Sequence, residues 1–249
     1  MPTSPAVVVV NRLIEGLPPA TRRTFLSHCT IQQLVCGEVL CSPEKPFQHV
    51  HFPLTGYIAL TVPSDGHQPA ALSMIGNEGV LGATLALGTD AAPLCGLVIG
   101  AGTALRMTAT QFHRQLEQSA GLNRALRDYL YVQVEQLAQT VACNTFHEVI
   151  ARLARWLLIT HDRAHGQPIS LTHQSFANLL GVRRSAITIA AGELQKRKCI
   201  RYARGRIRIV SRPRIEAIAC GCYLAGIRSY SRRFPAPPAP GMAAKTGSW

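Results

Sequence analysis

The spacing of hydrophobic and polar positions changes along the chain and divides it into parts. Between about residues 31 and 107, short β-rich apolar runs alternate with turn residues, a pattern typical of a compact antiparallel roll or sandwich. The predicted strands are residues 38–41, 50–52, 57–62, 70–75, 96–99 and 104–107. We therefore predict an α+β fold whose first unit is an antiparallel β-roll at residues 11–118.

After residue 108 the apolar positions follow the helical period, which predicts a long helix at 119–146. Two adjacent stripes run along it: Leu130, Val134, Leu137 and Val141, and a more polar one containing Leu126 and Gln133. One stripe can pack on the roll while the other meets a second copy of the helix. An amphipathic helix packed within a monomer would show the same spacing.

Residues 147–222 have the pattern of a winged helix-turn-helix. An amphipathic helix at 147–162 precedes two short helices within 171–195, which are joined by a tight turn at Gly181. Thr172 is placed to cap the first helix, and Phe176, Leu180, Ile187 and Leu194 have the spacing of a small shared core. Alternating apolar and basic residues at 199–210 predict a two-stranded hairpin, the wing.

The charge of the chain is concentrated in this second half. The net charge is +13, but residues 1–146 carry 8 basic and 9 acidic side chains, whereas residues 147–249 carry 18 and 4. Residues 183–214 alone hold eleven lysines and arginines against Glu193. Such a surface fits a polyanion, and together with the helix pair it predicts binding to double-stranded DNA.

The second helix of the pair offers one polar face to a DNA groove. Arg184 is the first choice for contacting a base, because a guanidinium can bond guanine O6 and N7 together. Phosphate contacts are expected from Arg183, Lys196, Arg204 and Arg206, with Ser185 and Thr188 also facing the groove. Helix-turn-helix proteins commonly bind two half-sites as symmetric dimers. This favours a homodimer formed through Leu126, Leu130, Gln133, Val134, Leu137 and Val141.

These motifs resemble the DNA-binding domain of the Crp/Fnr family of bacterial transcription regulators. The likeness rests on Leu171–Gln174, on the turn and helix from Gly181 to Ile187, on Leu194, and on the wing around Gly205. It implies that Thr172 and Gln174 contact backbone phosphates, that Arg184 contacts a base, and that RNA polymerase is a partner. Ser185 and Ile189 depart from common family patterns, which leaves the target sequence open.

The β-rich region resembles the family's cyclic-nucleotide-binding roll in Gly37–Glu38, in 52–56 and in 76–82. Nucleotide-binding members hold the cyclic phosphate with an arginine and a small hydroxyl residue, but here residues 46–105 contain no lysine or arginine. A buried phosphate without a cationic partner is costly. Weak or absent cyclic AMP binding is therefore expected, with no cofactor predicted and the effector unidentified.

Eight cysteines raise the question of metal or redox chemistry. Cys29, Cys36 and Cys41 lack the tight spacing of iron–sulfur ligands, and Cys143 with His147 supplies only two of the four ligands of a tetrahedral metal. Burial in the core is the favoured role, so no metal site and no disulfide framework are predicted. A redox role for Cys220 and Cys222 stays as an alternative.

The remaining features limit the class of protein. Without a signal peptide or an apolar run long enough to span a membrane, the chain is expected to be cytoplasmic and not membrane-bound. No serine or cysteine lies in a recognisable catalytic motif, so an enzyme is not expected. Proline-rich composition predicts a disordered tail, placed at 223–249.

The leading hypothesis is a sequence-specific regulator that binds a two-fold-symmetric site. The alternatives are a non-specific basic nucleic-acid-binding protein and a thiol- or metal-based redox-sensing regulator.

Overall fold

The computed structural model describes residues 10–64, 67–165, 169–203 and 205–235. Its N-terminal part is a β-roll, as predicted. All six predicted strands are present, each with ends within three residues of the predicted ones. The strands are β1 (Thr30–Leu34), β2 (Val39–Cys41), β3 (His49–Pro53), β4 (Tyr57–Ser64), β5 (His67–Ile75), β6 (Cys95–Gly100) and β7 (Gly102–Thr108). Strand β1 was not predicted, because four of its five residues lie outside the core and give no alternating signal.

Two antiparallel sheets form the roll, with strand orders β1-β7-β3 and β2-β6-β4-β5. The core between them contains three aromatic rings in edge-to-face contact. The Phe25 and Phe52 ring centroids lie 5.2 Å apart, and that of Phe112 lies 6.1 Å from Phe52. All three side chains are essentially inaccessible to solvent, so they are the centre of the roll.

Strands β4, β5 and β6 of the four-stranded sheet carry buried side chains on both faces. Along β4, Ile58 and Leu60 point into the roll core, while Tyr57 and Ala59 belong to a second core shared with the C-terminal domain. Met74 of β5 and Ile99 of β6 extend this outer face. Successive side chains of a strand point to opposite faces, so both faces must be apolar here. The C-terminal domain therefore packs directly on the roll.

Helices complete the N-terminal half and cross the molecule. They are α1 (Arg12–Glu15), α2 (Pro19–Ser27), a 3-10 helix (Ala83–Leu87), α3 (Ala109–Gln118) and α4 (Ala120–Phe146). A capping box between Thr108 and Gln111 begins α3, and Ser119 caps α4. The 27 residues of α4 span about 40 Å. The long helix predicted at 119–146 is thus present.

The C-terminal half is a winged helix-turn-helix, as predicted. It contains α5 (Val149–Arg163), α6 (His173–Leu180), α7 (Arg184–Lys196), β8 (Ile200–Ala203), β9 (Arg206–Ile209) and α8 (Arg212–Ile218). Gly181 lies between α6 and α7 with φ 63° and ψ 40°, in the left-handed region. Its N–H and that of Val182 close the end of α6 on Asn178 and Ala177.

A last helix, α9 (Cys222–Arg233), corrects the prediction of a disordered tail beginning at residue 223. It packs along α4, where Arg233 pairs with Asp128 at 3.0 Å and Arg232 with Glu135 at 3.3 Å. Tyr223 and Tyr230 anchor its apolar side in the two cores. Gly226, Arg228 and Ser229, which lie between these tyrosines, interrupt the apolar helical period. Residues 236–249 of the predicted tail lie outside the described residues.

Replacing Phe52 by alanine should lower the free energy of unfolding by about 3–5 kcal/mol, because the cavity would lie at the centre of a packed aromatic cluster. Denaturant titration of the full-length protein measures this. Leu87→Ala, at a side chain that is 64% exposed, should change the value by no more than about 0.5 kcal/mol. Equal losses in the two variants would contradict the assignment of the core.

The same substitution at two glycines should have opposite effects. Alanine at Gly181 costs about 1–2 kcal/mol because an L-residue is strained in the left-handed region. Alanine at Gly192, inside α7, should stabilise by about 0.5–1 kcal/mol because glycine is a poor helix former. Neither added methyl group would meet another atom within 4 Å. Unfolding curves that shift in the same direction would contradict this account of the turn.

Candidate nucleic-acid interface

The helix-turn-helix is held together by the side chains expected from the sequence. Phe176 and Leu180 of α6 pack against Ile187 and Leu194 of α7, and all four are buried. The guanidinium of Arg152 in α5 donates a hydrogen bond to the carbonyl of Leu180, which satisfies the C-terminal end of α6. The angle between the two helices is therefore fixed by an apolar core and a buried arginine.

The N-terminal end of α6 is capped as predicted. Thr172 Oγ1 accepts the N–H of Ser175 at 3.1 Å and remains exposed beside Gln174. Gln174 donates to Asn178 Oδ1 at 2.8 Å, so its amide oxygen is left available to a ligand. Both residues predicted to contact phosphate on α6 thus lie on the surface, near the positive end of the helix dipole.

The exposed face of α7 brings together the residues predicted to contact DNA. Arg183 is the residue before the first turn, and Arg184, Ser185 and Thr188 follow on the same solvent-facing side. Ile189 extends this face with a side chain that is 74% exposed. A helix with buried apolar residues on one side and arginines, hydroxyls and an aliphatic side chain on the other matches the donors and apolar contacts of a major-groove reader.

Two contacts that were not predicted join α6 to the wing and to α7. The His173 ring stacks on Tyr202 of β8 at a centroid distance of 4.3 Å. Its Nδ1 lies 3.1 Å from Thr188 Oγ1. Burial, and to a lesser extent the charge of Arg184, lowers the pKa of His173 below its ordinary value. A neutral imidazole therefore links α6, α7 and the wing at neutral pH.

The wing presents arginines on one face of its hairpin. Ile200 pairs with Ile209 in register, and Ile207 is buried, so the alternating positions Arg201, Arg206 and Arg208 face solvent. Arg206 was predicted to contact phosphate and is exposed. Arg201 and Arg208 were not predicted, although the period-2 alternation already placed them on the same face. Arg204 lies outside the described residues.

Lys196, the remaining predicted contact, ends α7 on the exposed surface. Glu193 is the acid of this region, and its carboxylate pairs with Arg197 at 2.7 Å. The pKa of Glu193 is lowered by the hydrogen bond from Arg197. Arg183 and Arg184, at the start of α7, form no ion pair with another described residue. Their charges therefore remain available to an anion.

The loop of the roll that resembles a cyclic-nucleotide site contacts helix α5. Glu78 pairs with Arg163 of α5 at 2.6 Å, and both side chains are largely buried. Arg163 also donates to the carbonyl of Met74 at 3.0 Å. Glu78 is therefore part of the contact between the roll and the C-terminal domain.

A cavity of about 390 Å³ lies between the roll and α4. Its walls are mainly apolar side chains from both, including Leu60, Val80, Leu94, Leu130 and Leu137. No lysine or arginine of the described residues lines it. An anionic group placed here would have no cationic partner.

The residues predicted for dimerisation are divided between the core and the surface. Leu126 is 1% exposed and packs in the core of its own protomer, so its assignment to a dimer interface is corrected. Leu130 and Gln133 are half-buried, and Gln133 donates to the Tyr129 hydroxyl at 2.6 Å. Val134 and Val141 are each 64% exposed, with the half-buried Leu137 between them.

The three N-terminal cysteines do not converge among the described residues. Cys36 is exposed, whereas burial raises the pKa of Cys29 to about 12 and that of Cys41 to about 11. Thiols held protonated in this way are poor metal ligands. Nor is any helix of the described part of the chain both long and apolar enough to cross a membrane.

Comparison with known proteins agrees with this architecture. The sequence model of the Crp-like helix-turn-helix domain matches residues 151–218, which contain α6, α7 and the wing. A search of proteins with curated function found no match to this sequence.

Several solved structures share the fold of the chain. FixK2 from Bradyrhizobium japonicum has a TM-score of 0.66 at 13% identity, covering 77% of this chain and 98% of its own. CLP, a c-di-GMP-responsive global regulator of Xanthomonas campestris, has a TM-score of 0.62 at 14% identity, with 78% and 100% covered. A CRP-family regulator of Thermus thermophilus has a TM-score of 0.63 at 13% identity, with 76% and 96% covered. The chain therefore contains a Crp-like helix-turn-helix domain at residues 151–218 and shares its overall fold with these regulators.

Proposed function

We propose that the protein is a homodimeric transcription regulator that binds a two-fold-symmetric DNA site and acts with RNA polymerase as its partner. The observation that carries the proposal is the exposed face of α7, where Arg183, Arg184, Ser185 and Thr188 lie beside the arginines of the wing. These side chains stay accessible while the domain packs on the roll, so the face is open to DNA.

Sequence readout is assigned to the first two turns of α7. Arg184 extends from the first residue of the helix, and its planar guanidinium suits the O6 and N7 acceptors of guanine. Ile189 has no hydrogen-bonding group and is suited to the methyl group of thymine. Together they provide two different kinds of base contact on one helix face.

Phosphate contacts are assigned to the residues that surround this face. Arg183 and Lys196 lie at the two ends of α7, Thr172 at the start of α6, and Arg206 on the wing. Arg201 and Arg208 join them, because their direct cross-strand pairing is unfavourable in the free protein and is relieved by an anion. These contacts position the helix in the groove without selecting a sequence.

Dimerisation is assigned to the exposed stripe of α4. Val134, Leu137 and Val141 are separated by three and four residues, the spacing of a helix–helix contact, and two of them are mostly exposed. Covering these side chains with a second α4 would remove apolar surface from water. Two DNA-binding domains would then face DNA about a two-fold axis.

Cyclic nucleotides are not the proposed effector of the roll. The cavity between the roll and α4 is apolar and lacks a cation among the described residues, and Glu78 is already paired with Arg163. An effector of this cavity would be an apolar molecule. It would touch Leu130, Val134 and Leu137, which belong to the proposed dimer stripe.

Selection of bound duplexes from a random DNA pool at about 0.15 M salt should enrich a two-fold-symmetric site. Arg184→Ala should weaken discrimination at one base pair of each half-site by about 1–3 kcal/mol, because a bidentate contact is lost. Arg23→Ala removes the same charge from an exposed position on α2 and should leave the enriched site unchanged.

Flat enrichment by the wild type would contradict sequence-specific binding and favour a non-specific basic nucleic-acid-binding protein. Added cyclic AMP should change neither the enriched site nor the affinity for it. A marked increase in affinity on adding cyclic AMP would overturn the assignment of the roll.

The mass of the protein in solution should be twice that of one 27.0 kDa chain. Val134→Glu combined with Val141→Glu should shift it to the monomer, because four like charges would meet in an apolar contact. Sedimentation or light scattering measures this. Ile31→Glu, at an exposed apolar residue of β1, is the matched control and should remain dimeric. A dimer that withstands both charges would place the interface elsewhere.

A further inference from the structure

Four potential metal ligands meet at the junction between α4 and the C-terminal domain. They are Cys143, His147, Cys220 and Cys222, and one ligand atom from each lies within 4.8 Å of all the others. Cys143 is in the last turn of α4, and His147 directly follows that helix. Cys220 and Cys222 lie at the turn into α9. The fold thus brings together two pairs of ligands that lie more than 70 residues apart in the sequence. Each pair alone supplies too few ligands to hold a metal ion.

The distances suit one small ion. Cys143 Sγ lies 3.5 Å from Cys220 Sγ, and Cys222 Sγ lies 3.5 Å from His147 Nδ1. A tetrahedral zinc ion with Zn–S bonds of about 2.3 Å separates its sulfur ligands by about 3.8 Å. Three thiolates and one imidazole are one of the donor sets of structural zinc.

The surroundings provide positive charge for a thiolate-rich centre. Arg152 and Arg155 are buried in α5, and neither pairs with a carboxylate among the described residues. Nε and Nη1 of Arg155 and Nε of Arg152 have no hydrogen-bond partner there. Three thiolates and a neutral imidazole around a divalent ion carry a net charge of −1, which would lower the cost of burying these guanidinium groups.

A hydrogen bond to one of the sulfur atoms points the same way. Gln139, one turn before Cys143 on α4, donates to Cys222 Sγ at 3.0 Å. A hydrogen bond from outside the ligand set orients a sulfur ligand and holds it in place.

We propose that Cys143, His147, Cys220 and Cys222 form a mononuclear Cys3His site for a divalent transition metal, with zinc the ion that fits the donor set. The site has a particular place in the chain. Two ligands come immediately before α5 and two immediately after α8, so the metal joins both ends of the DNA-binding domain to α4. Arg152, beside the site, also bonds the end of α6. Metal occupancy would therefore fix the orientation of the domain relative to the dimer helix.

The first test is titration of the reduced, metal-depleted full-length protein with Co²⁺, whose tetrahedral thiolate complexes absorb in the visible and near-ultraviolet. One equivalent per chain should bind with thiolate charge-transfer bands, and one equivalent of Zn²⁺ should displace it. Failure to bind one equivalent, or binding without these bands, would overturn the proposal.

Variants assign the ligands. Cys222→Ser and His147→Ala should weaken Co²⁺ binding by more than about 100-fold, beyond the 10–100-fold typical of an outer-shell change. Gln139→Ala should weaken it by about 10–100-fold and tests the site without altering a ligand. Cys36→Ser, at an exposed cysteine, is the matched control and should bind as the wild type does.

Three results would overturn the mononuclear site. The first is unchanged affinity in both His147→Ala and Gln139→Ala with the native fold retained. The second is a Cys143–Cys220 disulfide in the protein isolated with its native metal content. The third is iron and acid-labile sulfide in stoichiometric amounts, which would replace the mononuclear site by a cluster.

The effect on DNA rests on the proposed function and is measured separately. With the selected duplex, removal of the metal should weaken binding of the wild type by about tenfold or more, but leave binding by His147→Ala unchanged. Stoichiometric Co²⁺ binding without specific DNA binding would leave the metal site standing while the proposed function failed. Equal DNA affinity of the metal-free and metal-bound wild type would overturn the orienting role.

Discussion

Burial of strands β4, β5 and β6 on both faces is the constraint on which the arrangement of the domains depends. Ile58 and Leu60 of β4 close the roll, while Tyr57 and Ala59 form the surface on which the C-terminal domain packs. Exposing that outer face would bring Met74 and Ile99 into water as well, at a cost that scales with apolar area. The roll therefore needs the DNA-binding domain as a cover, and the Glu78–Arg163 pair lies at this same boundary.

This packing relates the cavity of the roll to the DNA-binding surface without requiring a long path. The cavity is bounded by the inner face of the sheet and by α4, whereas the DNA-binding domain contacts the outer face. A shift of β4 or β5 on one side is necessarily felt on the other, because packed layers deform little. A ligand in the cavity would act on the domain through one sheet and one helix.

Much of the fold could be predicted from the sequence because its signals are local. The apolar run of β4, the left-handed turn at Gly181 and the alternation of the wing each lie within a dozen residues. For the same reason the solvent-facing side of α7 could be predicted residue by residue, and the residues on it that the structure describes are exposed as expected. The signal of β1 was weak only because its side chains are largely outside the core.

What could not be predicted depends on contacts between distant segments. Cys143 and His147 have their companions on the far side of the DNA-binding domain, and no spacing rule connects the two pairs. The same holds for Leu126, whose helical stripe resembles an interface but faces its own roll. Helix α9 was missed because its two tyrosine anchors have their partners in distant segments: Tyr223 donates to Asp162 of α5, and Tyr230 donates to the carbonyl of Glu78 in the roll.

The arginines of the wing have a consequence for its behaviour in salt. Arg201 and Arg208 are direct cross-strand neighbours on the hairpin, and like charges in that position repel each other. Added salt screens this repulsion and so stabilises the hairpin when the protein is free, yet the same salt competes with the phosphates of DNA. Ionic strength would therefore act on these side chains in opposite directions in the free protein and in the proposed complex with DNA.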